Sequence, residues 1–247
     1  RGSPGNCAVA IGDSAAGNTS TSLGLDMVCI GTDAGYSSDG SRYGVHIGKQ
    51  SGYYDGGDRN VAIGNDAGKG DAGGSSGDDN IAIGNDSLGS FTTGGDNVAL
   101  GQRALMDAEA GNKNVAIGYF SLQNLIDGNN NIAIGDSAAD NITSGDDNTA
   151  LGFGALSGAT THVQNTAIGS YALNVSTGTS NTAVGYNTLA VNTSGSTNVA
   201  IGDGSMVGNQ GGSGNVAVGK ETLKTNVGGG YNVAVGYFAG KRIDGDS

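Results

Sequence analysis

Few side chains in this chain are capable of chemistry. Among 247 residues there are two histidines, His46 and His162, and two cysteines, Cys7 and Cys29. His162 sits in a polar stretch beside Thr161 and Gln164 and reads as a solvated loop residue. No second ligand stands at metal-binding spacing from either histidine, and two cysteines are too few to staple a chain of this size. Both cysteines read as buried small residues. The acidic pairs Asp78-Asp79 and Asp146-Asp147 carry the right oxygens for calcium. They lack a repeated ligand spacing, so they read as turn carboxylates. No catalytic residue, metal site or cofactor follows from these residues, and the chain is read as not an enzyme.

Aromatic side chains offer a different chemistry, because their faces suit sugar rings and protein partners. Tyr119, Phe153, Tyr186 and Tyr237 each directly follow a repeated glycine, and Phe120, Tyr171 and Phe238 stand one residue later. They predict a broken stripe. A second group, Tyr36, Tyr43, Tyr53 and Tyr54, lies where the repeat is least regular. Irregular coils of a repeat protein are where a specific binding feature is expected. Tyr119, Phe153, Tyr186, Tyr237, Tyr36, Tyr43, Tyr53 and Tyr54 are therefore the candidate binding residues.

The elements that position these residues are set by composition and repeat. Forty-nine glycines, one proline, no tryptophan and 14% charged residues exclude a helix bundle, a collagen and an ordinary enzyme core. The net charge of −12 makes the chain a poor partner for nucleic acid, which needs clustered Lys and Arg. No stretch approaches ~18 apolar residues, so no transmembrane helix or membrane insertion is expected. The start at Arg1 and the stop inside a repeat read as an excised or processed piece whose missing ends carry an anchor.

A phrase of the type Asn-Val-Ala-Ile-Gly, as at 60–64, recurs in fourteen copies from Gly12 to Gly236. Nine steps separate Gly84 from Gly236, a period of about 17 residues. The residue before the glycine is Ile, Leu or Val, and three before it is Val, Ile or Thr. Two before is Ala in twelve copies, with Cys29 and His46 as the exceptions. Four before is Asn in the last eleven, three after is Ala, Ser or Thr, and four after is often Leu.

Alternation places the two aliphatic columns on one face of a short strand and alanine on the other. The expectation is an all-β, parallel β-roll solenoid of about fourteen coils with the aliphatics inside. At ~4.8 Å per coil it would be a rod of about 65 Å. Aligned asparagines predict a ladder of amide bonds between coils. Residues 1–59 form irregular N-terminal coils and 60–247 regular ones, in one elongated domain.

Leucine-rich and calcium-binding nonapeptide repeats have other periods and phrases. A left-handed hexapeptide solenoid of the acyltransferase type is a rival, but each coil here has one aliphatic-glycine hexad, not three. A Thr array for ice is short: Thr149, Thr166 and Thr182.

The phrase followed by small-Leu, above all Asn-Thr-Ala-Val-Gly-Tyr-Asn-Thr-Leu at 181–189, resembles the head repeats of trimeric autotransporter adhesins. It also looks like repeats of bacteriophage tail-fibre proteins. The resemblance covers nearly the whole chain. It implies a left-handed parallel β-roll with three chains about a long axis. It departs in coil length, since the autotransporter heads use about 14 residues per coil. The implied role is a non-enzymatic fibre segment attaching to a host-surface receptor, glycan or protein. It would be extracellular, on a virion tail fibre or, alternatively, on a bacterial surface as an adhesin head. The thin core and the small alanine face argue separately for a homotrimer, with alanines at the interface. On that parity, three His46 side chains would meet near the three-fold axis.

Overall fold

A computed structural model describes residues 7–17, 26–38, 41–158, 160–161 and 163–243. His162 and the side chain of Cys7 lie outside the described residues. The chain is an all-β parallel β-solenoid of about 13 turns, with no helix among the described residues. Fourteen phrase strands enclose one turn fewer than the fourteen coils expected.

The chain divides into two compact units, Arg1–Asn129 and Asn130–Ser247. In the first, seven strands pair in parallel and in sequence order: β1 (Cys7–Ile11), β2 (Met27–Ile30), β3 (Val45–Ile47), β4 (Val61–Ile63), β5 (Ile81–Ile83), β6 (Val98–Leu100) and β7 (Val115–Ile117). In the second, β8 (Ile132–Ile134), β9 (Thr149–Leu151) and β10 (Thr166–Ile168) begin a ladder of the same kind. The second unit adds a narrow wall of two-residue strands: β11 (Val175–Ser176), β13 (Val191–Asn192), β15 (Gly208–Asn209), β17 (Thr225–Asn226) and β19 (Arg242–Ile243). They alternate with the phrase strands β12 (Thr182–Val184), β14 (Val199–Ile201), β16 (Val216–Val218) and β18 (Val233–Val235), which continue the main ladder from β10.

Register is strict: Ala167 pairs Ala150 on one side and Ala183 on the other. The phrase glycine makes this possible. A Cβ on Gly101 would fall 2.5 Å from the carbonyl oxygen of Gly118 in the next coil, and its φ of +135° is open only to glycine. The turn that follows is built from left-handed residues two and four positions on, such as Arg103 (φ 58°) and Leu105 (φ 51°). A bulky left-handed residue is unfavourable by roughly 1–2 kcal/mol. Coil-to-coil bonds hold it there: Arg103 N–H donates to Asn85 O at 2.9 Å and Leu105 N–H to Ser121 O at 3.0 Å.

The interior reverses the expected parity. Ala116, Ala133, Ala150 and Ala167 are fully buried inside the coils, while Ile117, Ile134 and Ile168 are half-buried and Leu151 is exposed on the outer face. The reason is the width of the lumen. Leu105, Leu122, Leu156 and Leu173 enter it from the post-glycine turn and are themselves completely buried. The asparagine column enters from another side. Between them only a methyl group fits, so the β-branched residues turn outward.

The asparagine ladder forms as expected. Asn97 Oδ1 accepts from the Asn114 backbone N–H at 2.9 Å, and Asn114 Nδ2 donates to Gly128 O at 2.8 Å. The same pattern links Asn181, Asn198, Asn215 and Asn232. Ser176, Asn192, Asn209 and Asn226, seven after the glycine, occupy a buried column that earlier coils fill with Phe91, Ala108, Leu125 and Ile142. Three of its asparagines form a second ladder, with Nδ2 to Oδ1 distances of 2.8 Å from Asn209 to Asn192 and from Asn226 to Asn209.

Because alanine lines the lumen, Ala133→Leu should disturb local folding rather than assembly. Overpacking predicts a loss of about 1–3 kcal/mol, read as a lower urea midpoint at protein concentrations that leave the oligomeric state unchanged.

Candidate functional site

The aromatic residues after the phrase glycines stand on a tightly held turn, which fixes their Cα positions. Tyr119, Phe153, Tyr186 and Tyr237 are all exposed, Tyr237 the most at 67%. The turn brings them into pairs rather than a stripe. Tyr119 packs on Phe120 with ring centroids 3.9 Å apart, and Tyr237 on Phe238 at the same separation. Phe153 meets Tyr171 of the next coil edge-on at 5.2 Å. Cations cover the inner partners: the Arg103 guanidinium lies 5.6 Å from the Phe120 centroid and Lys241 Nζ 4.3 Å from that of Phe238. Between Tyr186 and Tyr237 the column carries Asp203 and Lys220, joined at 3.0 Å. That hydrogen bond and charge hold the Lys220 ammonium above its ordinary pKa.

In the N-terminal coils Tyr36 stacks on Tyr53 at 5.1 Å, and Tyr53 meets Tyr54 edge-on at 4.6 Å. All three are half-buried. Desolvation raises the Tyr53 hydroxyl pKa, with smaller contributions from Tyr54 and Tyr36. Tyr43 is exposed, takes a left-handed backbone (φ 61°), and makes no ring contact among the described residues. Sequence reasoning missed Tyr231, the most exposed large hydrophobic side chain among the described residues at 89%. It sits five before its glycine in a left-handed position (φ 59°), in a mostly polar column that also holds Tyr43. Its sharing of a column with the candidate Tyr43 was the available signal.

The acidic turns are engaged internally. Arg59 grips Asp79 through Nε at 2.6 Å and a second nitrogen at 2.7 Å, which lowers the Asp79 pKa and raises that of Arg59. Asp78 accepts the Asp58 N–H at 2.7 Å. An open groove of about 270 Å³ is lined by Asp66, Lys69, Asp86, Ser90 and Met106. Its charges are paired, Lys69 with Asp66 at 3.1 Å and Asp86 with Arg103 at 3.8 Å.

His46 is not at an intersubunit axis. The alanine column it occupies faces the lumen, so its ring is completely buried within its own coil. Glycine at 52, where other coils carry Leu, makes the room: a Cβ there would fall 2.6 Å from the ring carbons. His46 Nε2 lies 3.0 Å from Asp55 Oδ2, and both side chains are 1% exposed or less. Asp55 Oδ1 accepts from Gly57 N–H at 3.0 Å and from Asn60 Nδ2 at 2.8 Å. In the neutral ring, a carboxylate accepting at Nε2 places the hydrogen there and the lone pair on Nδ1. Nδ1 has no hydrogen-bond partner. Sequence reasoning passed over Asp55, although it stands seven after Gly48, in the buried column of Ser38 and Ser75.

No protein-family model, curated protein or solved structure matches the chain.

The buried pair has a mechanical consequence. His46→Ala leaves the Asp55 carboxylate without its ring donor and should destabilise the N-terminal coils by about 3 kcal/mol, seen as an earlier urea transition in tyrosine emission. Adding Asp55→Ser, the residue of the partnered position Ser75, should make the double variant more stable than His46→Ala alone.

Proposed function

We propose that this chain is a segment of a non-enzymatic homotrimeric fibre that attaches to a cell surface, of the phage tail-fibre type and extracellular. The observation that carries the reading is the outer face of the main sheet. In each unit, two columns of Val, Ile, Leu and Thr point away from the lumen, leaving Ile81 and Ile83, then Ile132, Leu151 and Ile201, exposed. A contiguous apolar face of this kind marks an interaction surface. The face repeats with the coil, so an identical chain in the same register matches it residue for residue, and closed symmetry completes the assembly. Three-fold order and the left-handed roll come from the resemblance to adhesin heads and tail-fibre repeats.

On this reading attachment is multivalent. Exposed rings at Tyr119, Phe153, Tyr186, Tyr237 and Tyr231, multiplied by three chains, offer many weak contacts whose avidity exceeds any one of them. The receptor is a glycan or a protein surface that accepts aromatic faces.

Sedimentation equilibrium should give three times the chain mass of 24.1 kDa, and a monomer at micromolar concentration would overturn the reading. Ile132→Glu with Leu151→Glu should dissociate the trimer while leaving the far-ultraviolet circular dichroism of the coils in place. Tyr119, Tyr186 and Tyr237 replaced by Ala should weaken attachment by ~0.5–1.5 kcal/mol each with the trimer intact.

A further inference from the structure

The N-terminal coils depart from the repeat at three buried positions at once. Met27, Cys29 and His46 are all at most 1% exposed. Cys29 and His46 are the two residues that replace alanine in its column, and they are direct partners in adjacent strands. That column is alanine in twelve of the fourteen copies. Here it holds a thiol next to an imidazole, with a thioether beside them.

We propose that this cluster is a binding site for Cu(I), with Cys29 Sγ and His46 Nδ1 as its two ligands. A Cβ on Gly35 would lie 2.8 Å from Cys29 Sγ and 2.9 Å from His46 Nδ1, so the two atoms are at most about 5.7 Å apart. Metal–sulfur and metal–nitrogen bonds of ~2.3 and ~2.0 Å placed end to end span about 4.3 Å, within that limit. Nδ1 is the orphaned atom of the ring. Asp55 holds Nε2 at 3.0 Å, the arrangement by which a carboxylate fixes a metal-binding histidine with its other nitrogen toward the ion. Met27 packs on the far side: its Cε and His46 Nε2 lie 3.5 and 3.3 Å from the position of a Cβ on Gly44.

The donor set selects the ion. Among the described residues no three His, Cys, Asp or Glu side chains gather. Zinc in a structural site takes four such ligands. A thiolate and an imidazole in apolar surroundings suit a soft ion that accepts two donors, which is Cu(I). Binding is a proton exchange without electron transfer. The Cys29 S–H bond breaks, its electron pair bonds the copper, the proton passes to water, and the Nδ1 lone pair completes the coordination.

The test uses the purified full chain and Cu(I) alone, added without oxygen and competed with a copper-selective chelator. One Cu(I) per chain should be retained, with an X-ray absorption signature of one sulfur and one nitrogen donor. Cys29→Ala restores the residue that twelve of the fourteen coils carry at this position, so the coil should still form. It should lower Cu(I) affinity by more than the ~100-fold that even loss of an outer hydrogen-bond partner costs. His46→Gln keeps a donor for Asp55 and should do the same, whereas Cys7→Ser should keep one Cu(I) per chain. Failure to retain copper, retention undiminished by Cys29→Ala, or a copper bound by two sulfurs would each overturn the proposal.

Discussion

The fixed spacing between successive coils governs everything else in this chain. Parallel strands approach to about 4.8 Å, and a structure that stacks one residue of each type on its own copy must tolerate that distance at every position. The phrase glycine meets it by having no side chain: its neighbour's carbonyl oxygen sits where a Cβ would be. Asparagine meets it through a side chain that is donor and acceptor at once, so that each amide bonds the coil on either side. The left-handed turn residues are unfavourable one at a time and persist because their backbone groups bond the coils before and after.

The same constraint decides which residues face which way. A lumen filled by leucine from the turn and asparagine from the return segment leaves room for a methyl group on the strand. The β-branched residues that give the strand its extended preference therefore face outward. The solenoid is stabilised internally by leucine, alanine and polar ladders, and its β-branched columns stay on the outer face. In the N-terminal coils the economy changes. Glycine at 35 and 52 replaces the leucine, and the space goes to Cys29 and His46. A large residue in the alanine column requires a small one in the leucine column, which is why His46 and Gly52 occur in one coil.

Much of the fold was legible in one dimension. The period, the parallel stacking, the asparagine ladder and the tight glycine turn each follow from a column that can be counted. The candidate aromatics were legible as a column too, and the structure places Tyr119, Phe153, Tyr186 and Tyr237 on the surface. It also breaks the stripe into pairs, because ring packing and the intervening Asp203–Lys220 bridge depend on which neighbours occupy adjacent coils. Asp55 and Tyr231 fall in columns of mixed residue type, seven after and five before the glycine, where the period fixes no residue.

The sequence by itself determined that this chain is a β-solenoid of short parallel strands, since a coil that repeats its residue types every 17 positions can bury them only by stacking on itself. It did not determine which face of the strand is inside. Alternation divides a strand into two faces without saying which is the core, and the larger hydrophobic residues were the natural choice. Only the tertiary structure decided for alanine, because the volume available in the lumen is what remains after leucine and asparagine have entered it from the other walls.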